Sequence, residues 1–507
     1  MISLRSVAQE WADNFLSWVL AQSETQLLET KRVSGKMVGK ALETLCAFAN
    51  AEGGWLVLGV EDAEKAQGRD RLYGILENQE AVDELMRKLT THHNPVIEGV
   101  VGVRFETTLR DGKRGTVVAL QVPSSDKVHS ILDGGTWIRG QASNREMNAS
   151  EITELSYRRG VRSAESEPVD VDAELLETDS WRLFLKGRGL ASTGLLDQLH
   201  RIGLAKKVHG ELHPLRAAVL LFADFPGALL AAGVPRADVR VFHYKGTHIE
   251  AGAVPNLKKT PKTLSGPLYR LIDQAHAYVM NELADGLTMA KSGFRTVHRY
   301  PERVIKEAIT NAVIHRDYRL NRDVQIRIFD NRIEILSPGL LPGRITPATI
   351  HRAGSFSRNP LLASNLREFP EPPNVDAGEG VRMMFSVMRS SDLYPPQYRE
   401  LKELAQEAVM VTLLNDARPP IWEQVSDWMD RQGPISNGQL CAISGLDTLK
   451  ASKLLKRWVD QGLLVPDPTR AKRNMVYLKP LTANGANAHL FSEVPENKTG
   501  GDANLLI

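Results

Sequence analysis

Four residues near the N-terminus, Glu24, Glu29, Lys31 and Asp62, have the residue types of a divalent-metal centre. Carboxylates hold hard cations such as Mg²⁺ or Mn²⁺, and a bound cation lowers the pKa of its water while stabilising charge on a phosphate under attack. Lys31 would offset the remaining negative charge. If Gln26 to Lys31 is a strand, Glu29 and Lys31 face the same side, because side chains alternate with period two. Isolated carboxylates are also common on ordinary surfaces, so the spacing leaves that reading open. A second row lies in Pro301 to Gly343, where Glu307, Asn311 and His315 recur four residues apart on one helical face. Asn311 could hold Mg²⁺ through its carbonyl oxygen, and Glu307 could orient or deprotonate a water. A solvated polar face would show the same row.

These side chains need elements to place them. Residues 1 to about 20 carry apolar positions at helical spacing, and GKMVGKALETLCAFANAEGG predicts a second helix, closed by Gly53-Gly54. Trp55 to Val60 has the continuous apolar character of a fully buried strand and delivers Glu61 and Asp62 at its exit. Val100 to Phe105 and Gly115 to Val122 read as antiparallel strands joined through Asp111-Gly112. Trp137 to Gly140 is a last strand, on which Arg139 either contacts phosphate or pairs with an acid at the core edge. His92, His93 and His129 lack metal-ligand spacing to carboxylates.

Residues 161 to 178 are acidic and suit a joining segment. Leu215 to Phe222 and Asp238 to Tyr244 read as strands, and Leu268 to Leu287 as a long amphipathic helix. Lys258, Lys259 and Lys262 form a basic loop, for phosphate contact or for solvent. Ile305, Ile309, Ala312 and Val313 give the 301–315 helix its packed face, and Arg358-Asn359-Pro360 begins another. From 419 to 480, three helices (Ile421 to Met429, Ser436 to Ile443, Thr448 to Gln461) and a hairpin make a winged helix. Asp447 to Arg473 holds seven Lys/Arg against three Asp, and Thr448, Lys450, Lys453 and Arg457 would face nucleic acid if the third helix is the reader. Winged helices also serve as protein-protein modules. Residues 482 to 507 read as a disordered tail.

A chain of 507 residues needs several cores. Its 42% hydrophobic and 24% charged residues are ordinary for a globular protein, and a net charge of +2 confines any polyanion surface to a local patch. Two cysteines, Cys46 and Cys441, support neither a disulfide framework nor a zinc site. No apolar run approaches membrane-spanning length, and the N-terminus lacks a signal-peptide core, so a cytoplasmic location is expected. No G-x-x-x-x-G-K-[S/T] motif is present; SGKMVGK near residue 35 does not match it.

Two stretches resemble known families. ETQLLETKR, ALETLCAFANAEGGWLVLGVED and PSSDKVHSILDGGTWIRGQASNREMNASEITEL resemble the Schlafen AlbA_2 domain over roughly residues 20 to 160. In members that cleave RNA the active site is E-x-x-x-x-E-x-K with a later Asp, which implies catalytic and metal-binding roles for Glu24, Glu29 and Asp62 and a catalytic role for Lys31. Other members are DNA-binding regulators. The pattern E-x-x-x-N-A-x-x-H followed by Arg316-Asp317-Tyr318, then DNRIEILSPGLLPG, resembles the C-terminal ATP-binding module of bacterial RecG-like or divergent AAA-4 proteins, a relative of the gyrase/Hsp90/histidine-kinase (GHKL) fold. The resemblance implies ATP binding by Glu307 as general base, Asn311 as metal ligand, His315 and Asp317. It places Gly339 and Gly343 in a first glycine box and Gly378 and Gly380 in a second, cradling phosphate through backbone N–H groups. One position departs from the wider superfamily, where an Asp meets the adenine amino group: Ser337-Pro338-Gly339 stands there.

The expected architecture is an α+β multidomain protein: a Schlafen AlbA_2 nucleic-acid domain (1–160), a linker or helical connector (161–210), a GHKL-like α/β sandwich (211–415), a winged helix (416–481) and a tail (482–507). The expected function is a metal-dependent endoribonuclease acting on structured RNA or tRNA, regulated by nucleotide, with antiviral defence as a fitting role. The alternative is an ATP-responsive DNA-binding regulator without nuclease activity. Mg²⁺ or Mn²⁺ and ATP are the expected cofactors, RNA or DNA the partners, Arg139, Lys450, Lys453 and Arg457 the nucleic-acid contacts, and a homodimer or higher homo-oligomer the default assembly.

Overall fold

The computed structural model describes residues 4–480 except 34–35, 191–193, 232–235, 251–254, 291–292, 299, 344, 355, 374–378, 403–406, 420 and 472–473; of residues 285–298 only the backbone is described. Gly378 and the 482–507 tail therefore lie outside the described residues. The chain divides into two units, the first formed by residues 1–161 and the second beginning at Arg162.

In the first unit a five-stranded sheet runs in the order Leu4–Ser6, Val101–Thr108, Arg114–Pro123, Gly53–Leu58, Leu28–Lys31. The central Gly53–Leu58 strand is apolar throughout because both its faces are covered. Trp55 and Val57 pack with Phe15 and Val19 of the Gln9–Leu20 helix, whereas Leu56 and Leu58 pack with Leu45 and Phe48 of the Met37–Ala49 helix and with Leu85 of the Gln79–Lys88 helix. Gly53-Gly54 does not close the preceding helix, which ends at Ala49. The pair opens the strand: Gly53 has φ +83°, and a Cβ there would stand 2.7 Å from the Val122 carbonyl oxygen. A side chain is thus excluded by neighbouring backbone as well as by φ.

The second unit is built on a six-stranded sheet, in the order Lys262–Leu264, Val239–His243, Val324–Ile328, Arg332–Pro338, Ala408–Leu414, Gln397–Leu401. Only the Val239–His243 and Val324–Ile328 pair is parallel. The helices Leu268–Glu282, Glu302–Ile314 and Gly380–Ser390 pack on one another and on this sheet. Leu215 to Phe222, expected as a strand, is instead the helix Arg216–Phe222, with all seven residues buried. A continuously apolar run carries no periodicity to tell the two apart. The amphipathic helix stops at Glu282, and Leu287 belongs to the following strand, Ala284–Ala290. Residues 162 to 178 are held against the rest of the unit: Glu165 and Leu176 are fully buried. Near its C-terminal end, the helices Ile421–Gln432, Asn437–Ser444 and Thr448–Asp460 enclose Trp422, Leu440, Leu455 and Trp458 beside a small sheet of Ile435–Ser436, Val476–Leu478 and Val465–Pro466. Ser436 and Asp447 cap the second and third of these helices.

Candidate nuclease and nucleotide sites

Leu28–Lys31 pairs in parallel with Gly53–Leu58, so Leu28 points into the core while Glu29 and Lys31 share the other side. The Lys31 ammonium contacts the Glu29 carboxylate. Just upstream, the Thr25 N–H donates to the Leu28 carbonyl (2.9 Å), and this turn folds Glu24 back over the strand. One Glu24 oxygen accepts from the Thr30 N–H at 3.2 Å and from its hydroxyl at 3.4 Å. Burial, then the charge of Glu29 beside it, pushes the Glu24 carboxyl up to about 7. A pair of adjoining carboxylates of which one retains its proton near neutrality is a site whose proton a cation can replace.

Arg139 is turned inward and not toward solvent. Its side chain is fully buried, 2.7 Å from Glu29 Oε2, and it donates to the Thr25 carbonyl (2.7 Å), the Leu28 carbonyl (3.1 Å) and Asn144 (2.9 Å). The alternative pairing with a core-edge acid is the one found. Asp62 follows the central strand and accepts from the Glu64 N–H at 3.0 Å. Among the described residues no three His, Cys, Asp or Glu side chains converge as metal ligands. Glu24 and Glu29 adjoin, with Lys31 and Arg139 each on one Glu29 oxygen, and Asp62 does not join them as a third ligand.

Arg71 is a residue the sequence reading missed. It is 1% exposed and donates to the carbonyls of Glu61 (2.7 Å), Val19, Leu20 and Gln22, and to the Thr30 hydroxyl (3.2 Å) that also holds Glu24. Burial pushes its guanidinium down, and the charges of Asp62, Glu24 and Glu61 push it back up. Its main partners are backbone carbonyls distant in sequence, which no motif encodes. An arginine in the loop just after an acidic strand exit was the available signal.

In the second unit a cavity of about 590 Å³ is lined by Glu307 and Asn311 from the Glu302–Ile314 helix and His315 at its end, by Ser337 of the neighbouring Arg332–Pro338 strand with Gly339 and Leu340 just after it, and by Gly380 and Arg382. The expected row of Glu307, Asn311 and His315 is thus turned toward a cavity. Asn311 Nδ2 donates to Glu307 at 3.0 Å, which leaves the amide oxygen as the group for a cation. Burial holds the Glu307 carboxyl above its usual range. The glycines meet close neighbours: a Cβ on Gly380 would stand 1.7 Å from Glu307 Oε1, one on Gly339 (φ +99°) 2.7 Å from the Asp317 side chain, and one on Gly343 (φ +64°) 3.2 Å from Phe356. Ser337 donates its hydroxyl proton to the Ala312 carbonyl at 2.7 Å, leaving only acceptor capacity. Asp317 lies beneath this region, ion-paired with Arg319 and, at 3.4 Å, with Arg358. These groups fit a nucleotide with its Mg²⁺: carboxylate, amide oxygen, and Arg303, Lys306 and Arg382 at the wall for phosphate.

On the third C-terminal helix, Lys450 and Lys453 are exposed, and Arg457 is half-exposed 3.1 Å from Asp416. Lys450 stands 3.2 Å from the capping Asp447. Lys258 and Lys259 are paired with Asp330 and Glu282.

Residues 24–148 match the family model for Schlafen, AlbA_2, and residues 321–413 match the one described as putative ATP-dependent DNA helicase recG C-terminal. The chain is an α+β multidomain protein that carries a Schlafen AlbA_2 domain and a RecG-like, ATPase-type domain. Together these support a nucleic-acid-related, ATP-binding protein. The first match contains Glu24, Glu29, Lys31, Asp62, Arg71 and Arg139; the second contains Gly339, Gly343 and Gly380 and begins after the Glu307–Asn311 helix. No curated protein matches the chain. Among solved structures it is similar to the DIP2311 protein from Corynebacterium diphtheriae, at 16% identity over 89% of this chain and 92% of that one, with a TM-score of 0.39. No helix among the described residues is long and apolar enough to cross a membrane.

Proposed function

We propose that this protein is a metal-dependent endoribonuclease of Schlafen type, acting on structured RNA such as tRNA, with a GHKL-like module that senses adenine nucleotide. The observation that carries it is the adjoining Glu24 and Glu29 pair with Lys31 beside it, inside the matched Schlafen domain. When bound, a divalent cation would supply a water of lowered pKa and charge stabilisation at the scissile phosphate. Glu24 and Glu29 would hold it, with Asp62 as a third carboxylate brought in by substrate or metal. Lys31 would offset negative charge at the phosphate, and Arg139 would position Glu29. In the second unit Asn311 would hold the Mg²⁺ of a nucleotide through its amide oxygen, and Glu307 would serve as the general base. A gated nuclease suits antiviral defence, because uncontrolled cleavage of host RNA is toxic.

The test is incubation of the purified protein with total RNA, tRNA and single- and double-stranded DNA in Mg²⁺ or Mn²⁺, with and without ATP, beside a Glu24→Ala/Glu29→Ala variant. Cleavage of RNA by wild type alone supports the proposal. Intact nucleic acid in every lane favours the second reading, a nucleotide-responsive DNA-binding regulator. That reading draws on the exposed Lys450 and Lys453 of a C-terminal part read as a winged helix spanning 416–481.

A further inference from the structure

The segment that follows the first unit in the chain is gripped beside the cavity. Glu165 is completely buried, and its two carboxylate oxygens accept separately from the Leu361 and Leu362 N–H groups, both at 2.7 Å. Those amides open the Pro360–Leu366 helix and have no acceptor within it, so the carboxylate is what satisfies them. The Ser163 hydroxyl donates to the Arg358 carbonyl at 3.3 Å. On its other side the segment is fixed by Arg216, whose guanidinium donates to the Ala164 carbonyl (3.1 Å) and to Glu167 (2.6 Å).

The same short stretch, Arg358 to Leu362, reaches the cavity wall. The Arg358 guanidinium donates to the carbonyl of Leu340 at 2.5 Å and meets Asp317 at 3.4 Å. The Asn359 amide, 1% exposed, donates to the carbonyls of Ile314 (2.7 Å) and Arg316 (2.8 Å) at the end of the Glu302–Ile314 helix. Ile314, His315 and Leu340 line the cavity itself. A continuous run of buried and part-buried hydrogen bonds therefore joins the wall to residues 163–165.

We propose that residues 163–167 form a strap that transmits occupancy of the cavity to the chain arriving from the Schlafen unit. This deepens the proposed function by naming how the nuclease would be regulated, and it rests on the reading of the cavity as a nucleotide site. A nucleotide that draws in Leu340 and the 314–316 turn tightens Arg358 and Asn359, and with them the Glu165 grip on Leu361 and Leu362. Loss of the carboxylate frees the strap while leaving the cavity side chains in place.

The experiment is hydrogen exchange on the full chain, with Mg²⁺ and a non-hydrolysable ATP analogue, for wild type, Glu165→Gln and the milder Ser163→Ala. In wild type the analogue slows exchange at Gly380–Met383, at Leu361–Leu362 and at 163–167, by about fivefold or more at the two leucine amides. In Glu165→Gln the Gly380–Met383 protection persists and the strap no longer responds, and the effect of nucleotide on RNA cleavage is lost with basal cleavage unchanged. Ser163→Ala gives a partial loss and shows the result without a buried polar change at Glu165. Protection at Gly380–Met383 with no change at Leu361–Leu362 or 163–167 in wild type overturns the strap and leaves the nucleotide site standing. Absence of protection anywhere overturns the nucleotide site and the strap together.

Discussion

Glu24→Gln should make the protein more stable at pH 8 while removing a ligand of the proposed metal site. The carboxyl group is held at about 7 in the fold against an ordinary 4.5, chiefly by burial and by the charge of Glu29. An acid whose pKa is raised by folding binds its proton more tightly in the native than in the unfolded chain, so its contribution to stability is greatest below pH 4.5 and is lost as pH rises through about 7. The full difference corresponds to roughly 3 kcal/mol, and partial solvent screening at this half-buried group reduces it to about 1–3 kcal/mol. Glutamine keeps an oxygen for the Thr30 N–H and carries no charge to repel Glu29. Differential scanning calorimetry on the full chain should therefore show an unfolding transition raised by about 3–8 °C at pH 8, by roughly a quarter of that at pH 5, and unmoved well below pH 4.5. Mn²⁺ should raise the wild-type transition at pH 8 and leave that of the variant where it is. A variant no more stable than wild type at pH 8, or equally stabilised at both pH values, would refute the reasoning about the carboxylate pair.

Other changes separate the roles of neighbouring residues. Arg139→Met leaves Glu29 buried beside only Lys31 and strands several carbonyls; urea unfolding should show a loss of about 3–5 kcal/mol, and a variant of wild-type stability with weakened RNA binding would restore Arg139 as a phosphate contact. Gly380→Ala places a methyl group on Glu307, so fluorescence titration with a labelled ATP analogue should show at least about tenfold weaker binding with unchanged far-ultraviolet circular dichroism. Lys450→Ala with Lys453→Ala should weaken DNA or RNA binding and lower its salt slope by up to about two, read by anisotropy at several salt concentrations; an unchanged slope would make this helix a protein contact.

Much of the fold was legible because local pattern and packing agree. The buried strand at Trp55 announces itself by being apolar on both faces, and the three C-terminal helices by their helical runs, of which the second and third are capped by Ser436 and Asp447. The Glu307, Asn311 and His315 row was visible as spacing, and the cavity it lines needed the Ala408–Leu414 and Gln397–Leu401 strands, remote in sequence, to close. Where pattern was silent the reading failed: Ala217 to Phe222 is apolar without period, and burial on every side suits a strand as well as the helix that forms. Arg139 was left between two roles because the acid it pairs with is a matter of strand placement. Arg71 escaped notice since its partners are main-chain carbonyls, identical for every sequence.

The hold that Arg139 has on Thr25 and Leu28 spans 114 and 111 positions of the chain. During synthesis Glu24, Glu29 and Lys31 leave the ribosome first, and at about 10 residues per second roughly ten seconds pass before the arginine that fixes them emerges. A nascent chain therefore displays its acidic residues without the geometry that would let them act. If the proposed cleavage of tRNA holds, the nascent chain would be unable to cut the RNA of the translating machinery during that interval, because the proposed site would assemble only with the rest of the first unit.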